Sequence, residues 1–373
     1  MEISVFYELE TSDPSPASVR RIYKECVEQV QLADSLGYRA VWFTEHHFLE
    51  RFSYSSAPEE MLAFLAAKTK RIRLGHGIVL LPFNINHPLR VAERIAVLDN
   101  LSDGRVEFGG GRAICESELS AFHVDPDLTR PQWEETLAML PRMWTEEKFK
   151  WEGADKLIQV PERAVLPKPV QQPHPPMSVA CTQASTVEFA AEHGLGVLGF
   201  GISEANSNEY VRTYREKIRS AKPIGKFVNN HFSVLRMALC SPSDREALDL
   251  QGANMKMYTR QTRDLFAPWI DGKPPASYKT IIDNFVKTFD QIDQVPLEDV
   301  VKFGGACIGD PARCIDSLQF LEDAGVDEVM LFMQLYTTPH DQIMRSIDLF
   351  ANKVLPKIRT SSANRERSAS AGS

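Results

Sequence analysis

Ala40-Val41-Trp42-Phe43-Thr44-Glu45-His46-His47-Phe48 runs from a short apolar stretch straight into a polar cluster. An uninterrupted apolar run of this length, with no polar alternation, reads as a strand buried on both faces, the kind a parallel sheet requires. The same unit recurs outward in both directions. Residues 3–9 form an apolar strand-like run, and residues 18–36 follow with Ile22, Cys26, Val30 and Ala33 at helical spacing until Gly37 stops them. After the quoted stretch, residues 58–70 form a helix that begins on Pro58, and residues 72–81 form a longer apolar run. A helix over 88–101 comes next, then a fourth strand at 105–109 entered through Ser102-Asp103-Gly104, with Gly109-Gly110-Gly111 closing it.

Beyond a helix at 132–144, residues 151–176 are proline-rich and polar and read as an excursion outside the core. Strands five to eight fall at 177–181, 196–200, 232–239 and 328–333. Helices lie at 185–193 and after Asp310-Pro311, where an N-cap is followed by proline and Gly325 ends the run. Residues 252–297, broken by Pro268, Pro274 and Pro275, read as an insertion or lid. Strand and helix alternate throughout, which favours a parallel α/β sheet. No G-x-G-x-x-G follows the first strand, as a dinucleotide fold would require, so the expectation is an α/β (β/α)8 TIM barrel with insertions after strands 4 and 7. One domain over residues 1–358 is expected, with a disordered tail at 359–373 that is rich in Ser, Ala and Arg.

The chain has 373 residues and a formal net charge of -8 with no basic run, which argues against a nucleic-acid partner. Its six cysteines are dispersed, without zinc-ligand spacing, and are expected to be reduced. Neither a signal-peptide pattern nor a membrane-length apolar stretch is present, so a cytoplasmic location is expected.

Barrel enzymes build their active sites at the C-terminal ends of the strands, which makes Glu45, His46 and His47 the first candidates for acid-base chemistry. A hydrogen-bonded structural histidine is the plain alternative. A metal is not expected, because adjacent residues on a strand point to opposite sides and no second ligand motif supports them. The second candidate group pairs Arg112 with Thr182-Gln183-Ala184-Ser185-Thr186 at a helix start. A guanidinium, backbone N–H groups and hydroxyls together suit a phosphate. Its plain alternative is a surface arginine beside an N-cap made by Ser185 or Thr182. Phe6, Tyr7, Phe48, Phe200 and Phe332 promise an apolar pocket or simply core.

In combination and order, several segments resemble the bacterial luciferase-like flavin-dependent monooxygenases. They are residues 40–48, 71–82, His87-Pro88, 101–109, 184–194 and 341–350, and the resemblance runs from Ile3 to about Ile358. It implies a (β/α)8 barrel that receives reduced FMN (FMNH2) from a separate NAD(P)H:flavin reductase. The flavin then reacts with O2 to give a C4a-hydroperoxide that oxygenates a small-molecule substrate, by hydroxylation, Baeyer-Villiger or carbon-heteroatom cleavage chemistry.

The resemblance makes His46 the active-site histidine, with Glu45 and His47 orienting it. It places Arg112, Gln183, Ser185 and Thr186 at the flavin phosphate, and Gly77-Ile78 at a cis peptide behind the flavin ring. It also implies a homodimer formed through helices 58–70 and 88–101. Gly111, Cys115 and Thr182 stand where luciferase has a cysteine, a tyrosine and a glutamate, so light emission from a long-chain aldehyde is not expected. Two other readings are a deazaflavin-dependent hydride-transfer enzyme and a non-catalytic flavin-binding partner subunit.

Overall fold

Alternate residues of each strand face two different cores, and this double burial explains the unbroken apolar runs of the sequence. The computed structural model describes residues 1–153, 157–280, 282–283, 294–303 and 305–358; the tail expected at 359–373 lies outside them. Eight parallel strands form the ring: β1 Glu2–Tyr7, β2 Ala40–Phe43, β3 Arg73–His76, β4 Val106–Gly111, β5 Met177–Cys181, β6 Gly196–Gly199, β7 Phe232–Cys240 and β8 Glu328–Phe332. Each pairs with its neighbour in sequence, and β8 returns to β1 with Ile3 opposite Val329, so the sheet closes as a (β/α)8 barrel with no free edge.

Ile3, Val5, Tyr7, Val41 and Phe43 point outward and pack against the helices. Phe6, Ala40, Trp42, Leu198, Met330 and Phe332 fill the interior. A polar cluster lies at the N-terminal floor of the ring. The buried Glu328 carboxylate accepts hydrogen bonds from Ser4, from Trp42 Nε1 at 2.8 Å, from Ser233 Oγ at 2.9 Å and from Arg39 Nη1 at 3.1 Å, and His231 Nε2 lies 2.9 Å away.

Both insertions follow the expected strands, but in the second, read as 252–297, residues 252–270 continue the helix Asp244–Ile270, and 281 and 284–293 lie outside the described residues. After β4 come the helices Glu116–Ala121 and Thr129–Thr145 and an antiparallel hairpin, Phe149–Glu152 with Gln159–Arg163. After β7 come the helices Asp244–Ile270 and Leu297–Phe303 and a strand, Cys307–Gly309, which pairs with the last residues of β7.

Three details differ from expectation. Residues 109–111 lie within β4 rather than beyond a strand ending at 109, because crossing chain fills the space beside them: a Cβ on Gly109 would stand 2.3 Å from the His76 carbonyl oxygen, and one on Gly111 would stand 2.4 Å from Ile78 Cδ1. The run 72–81 is split. β3 ends at His76, the Gly77-Ile78 peptide is cis, and Val79–Leu80 pairs with Gly110 and Gly111. Pro268 breaks nothing. It sits within the last turn of the 27-residue helix Asp244–Ile270, where one lost hydrogen bond is offset by packing of Phe266 and Trp269.

Candidate active site

His46 shares the inward parity of Ala40 and Trp42, so its imidazole projects above the barrel interior, and it is 6% exposed. Its Nδ1 lies 2.9 Å from Glu118 Oε1, and the same carboxylate accepts the His47 backbone N–H at 3.0 Å and that of Ile114 at 3.3 Å. Glu118 is fully buried on the short helix Glu116–Ala121. Burial alone would lower the His46 pKa, but the Glu118 charge and hydrogen bond, followed by Glu8 and Glu45, outweigh it and raise the pKa above 6.5. Burial would likewise raise Glu118, yet His46 and the His47 N–H hold it below 4.5. The shifts of the two partners have the opposite signs that mutual stabilisation of their charged forms produces, and Nδ1 is committed to the carboxylate, which leaves Nε2 as the nitrogen that can act.

Glu45 and His47 form a second hydrogen-bonded pair, and Glu45 reaches His46 through its charge rather than through a hydrogen bond. His47 Nε2 lies 2.9 Å from Glu45 Oε1, while Glu45 also accepts from the Leu80 N–H at 2.8 Å and from Asn86 Nδ2 at 2.8 Å. Opposite parity at a strand end sends adjacent histidines to different partners. Glu45 thereby ties the end of β2 to Val79–Leu80, just past the Gly77-Ile78 bond.

The second candidate group gathers around a cavity of about 50 Å³ lined by Gly111, Arg112, Arg130, Trp133, Ala180, Thr182, Gln183 and Thr186. The Arg112 guanidinium stacks over Tyr278 at 5.1 Å, and its buried Nη1 has no acceptor among the described residues. Burial lowers its pKa without removing the charge. The helix Ala184–Glu192 opens on Gln183, whose side chain makes no capping hydrogen bond, so neither Ser185 nor Thr182 is the N-cap. A buried donor without an acceptor, beside an uncapped helix N-terminus, suits a phosphate. Ser185 lies at that helix start but does not line the cavity, while Ile78 packs against Gly111, and Gly77 against Trp42 and Phe6.

Phe6, Phe200 and Phe332 meet edge to face, with centroids 5.8 and 5.4 Å from Phe6, on the interior side. Tyr7 instead stacks on Phe43 in the outer core, and Phe48 is 65% exposed beside Phe122. The reading of the sequence missed Glu118, Arg130, Tyr278 and the buried acids Glu8 and Glu10. Among the described residues, no three His, Cys, Asp or Glu side chains gather as a metal would need. None of the described helices is long and apolar enough to cross a membrane.

A family described as luciferase-like monooxygenase matches residues 1–328. The oxygenase component of a flavin-dependent trigonelline monooxygenase from Acinetobacter baylyi is 32% identical over 199 residues, which is 53% of this chain and 53% of that one. An alkanal monooxygenase alpha chain from Photorhabdus luminescens is 26% identical over 366 residues, covering 94% of this chain and 95% of its own. Among solved structures, the monooxygenase RslO1 from Streptomyces bottropensis superposes with a TM-score of 0.77 at 26% identity, covering 96% of this chain and 99% of its own. With the barrel and its strand-end site in place, the family match over most of the chain shows that this protein belongs to the luciferase-like monooxygenases.

Proposed function

We propose that the chain is the oxygenase component of a two-component system, receiving reduced FMN from a separate NAD(P)H:flavin reductase and using O2 to oxygenate a small organic substrate in the cytoplasm. The observation that carries this reading is the buried His46–Glu118 pair at the end of β2, which presents Nε2 of a histidine kept protonated beyond its usual range. Reduced FMN, once bound, supplies the electrons that activate O2.

In this reading Arg112 and the open N-terminus of Ala184–Glu192 take the FMN phosphate, with Thr182, Gln183, Ser185 and Thr186 around it. Gly77 and Ile78 back the flat ring from the end of β3, and Gly111 leaves room for the Ile78 side chain against the neighbouring strand. His46 Nε2 donates a hydrogen bond to negative charge that develops during oxygen transfer, or delivers a proton there. Glu118 positions it, while Glu45 and His47 hold the strand end. The relatives named as oxygenases support the reaction class. Phe64, Val97 and Leu101, exposed on Pro58–Lys68 and Pro88–Leu101, support a homodimer through these helices.

The test is to mix protein preloaded with reduced FMN with oxygenated buffer, with and without candidate substrates, and to follow the flavin spectrum. A delay before oxidised FMN appears is expected. Oxidation as fast as that of free flavin under every condition overturns the reading. Arg112→Ala should weaken FMN about tenfold to a hundredfold and riboflavin far less, from the loss of charge-assisted hydrogen bonds. Equal losses would remove Arg112 from the phosphate.

A further inference from the structure

The chain leaving β1 carries two carboxylates that the proposed chemistry does not use. β1 ends at Tyr7 and Leu9 adopts φ 59, so strand alternation stops there, and Glu8 and Glu10 flank that left-handed residue. Both are buried, at 4% and 0% exposure. Their backbone is held firmly: the Glu8 carbonyl accepts from Ser53 Oγ at 2.7 Å, and Gln334 bonds both the N–H of Glu10, at 3.1 Å, and its carbonyl, at 2.8 Å.

The carboxyl groups face one another. Glu8 also meets the Tyr258 hydroxyl, and His46 is the cationic group acting on it, with Nδ1 already given to Glu118. Glu10 faces Glu8 and the Tyr336 backbone N–H, yet neither of its oxygens has a donor in hydrogen-bonding geometry, nor does Glu8 Oε2. The Tyr336 hydroxyl, on a side chain 7% exposed and acted on by both acids, also has no partner among the described residues. No ion pair from either carboxylate to a lysine or arginine is present among the described residues.

Two neighbouring carboxyls in a low dielectric resist ionising together, and His46, already paired with Glu118, offsets this only in part, so the pair holds a proton more tightly than separate carboxyls would. Burial pushes Glu8 up to about 7 and raises Glu10 as well. The group that best completes such a site is a cation bearing several N–H donors, which neutralises the pair and satisfies the bare acceptor oxygens together. Tyr258, whose ring lies 5.3 Å from Phe52 and 5.9 Å from Phe332, adds an aromatic face.

We propose that Glu8 and Glu10, together with the Tyr336 hydroxyl, form a substrate subsite for a protonated amine whose apolar remainder rests on Phe6, Phe200 and Phe332. The proposal rests on the oxygenase reading only in placing that substrate beside His46. On binding, the shared carboxyl proton passes to solvent and the ammonium takes its place. One O–H bond breaks, and the pair goes from one negative charge to two, set against one positive.

The test is calorimetric binding of benzylammonium and its neutral counterpart benzyl alcohol to the full chain loaded with oxidised FMN, at pH 6 and pH 8, in buffers of different ionisation enthalpy. Benzylammonium is expected to bind at least tenfold tighter than the alcohol at pH 8, more weakly at pH 6, and with proton release. Glu10→Gln should lose tenfold or more for the cation and less than twofold for the alcohol. Tyr336→Phe, which removes one hydroxyl, should weaken the cation severalfold and serves if the Gln variant does not fold. Equal affinities, no proton release or no benzylammonium binding overturns the subsite. Because binding heat needs no turnover, amine binding without a delay in flavin oxidation would count against the oxygenase reading alone.

Discussion

Glu118 governs His46 from 72 residues further along the chain, and its removal has a calculable sign. The raised His46 pKa means that the protonated imidazole persists past 6.5, so a step requiring it holds at low pH and fades as pH rises through the folded-state value. The pair's contribution to stability follows the same logic. On the histidine side it is present below 6.5 and lost as pH rises through the raised pKa. On the glutamate side it is present above 4.5 and lost as pH falls through the lowered one. Glu118→Gln removes the largest cause of the elevation and leaves burial opposed only by Glu8 and Glu45, so the alkaline limb of kcat should move to lower pH, with kcat reduced about tenfold to a hundredfold. A pH-rate profile checks this, and an unmoved limb would mean that His46 does not carry the proton. Sequence placed His46 correctly at a strand end, but not its partner. Glu118 sits on a six-residue helix, too short for any periodicity to announce it. Glu8 and Glu10 carried no such signal either, because Leu9, at φ 59, breaks the strand alternation between them.

Two helix starts show how local chemistry separates stability from binding. At Pro311–Ala324, Asp310 accepts from the Arg313 N–H at 2.9 Å and Gly325 closes the helix at φ 88, a self-contained element whose ends were readable because every signal is local. Ala184–Glu192 lacks a side-chain cap at Gln183. Gln183→Asp should therefore stabilise the helix by about 1 kcal/mol through a new cap, raising Tm, while placing a negative charge at the phosphate cavity and weakening FMN. Thermal melts and FMN titrations should move in opposite senses; tighter FMN binding would take the phosphate away from this helix. The elements that escaped the sequence depend on distant partners. Phe149–Glu152 and Gln159–Arg163 have little apolar alternation and are strands because they pair with each other, and β4 keeps its glycines in register because β3 and Ile78 crowd them. Pro268 was read as a breaker because its tertiary packing is invisible to propensity.

At the scale of the barrel, the floor cluster sets the acid limit. Burial would raise the Glu328 carboxyl, but Arg39, His231 and Ser4 hold it well below the usual carboxylate range. Its contribution to stability is therefore full above about 4.5 and lost only as pH falls through its depressed folded-state pKa. Glu328→Gln, which leaves Arg39 and His231 short of a partner, should cost about 3–5 kcal/mol and be visible as a lower Tm at neutral pH. A Tm unchanged at pH 7 would show that the network adds nothing net. On the outer surface, Leu101→Glu places a charge where a 64% exposed leucine ends the helix Pro88–Leu101. Sedimentation of the proposed homodimer should shift towards monomer, and an unaltered profile would put the interface elsewhere.

The same floor also dictates traffic. With Trp42 and Glu328 closing the floor and Phe6, Leu198, Met330 and Phe332 filling the interior, ligands meet this barrel only from the C-terminal ends of its strands. A cofactor and a substrate that share this one approach would cover one another, so an ordered binding sequence and inhibition by excess of the later ligand are the kinetic signs to expect.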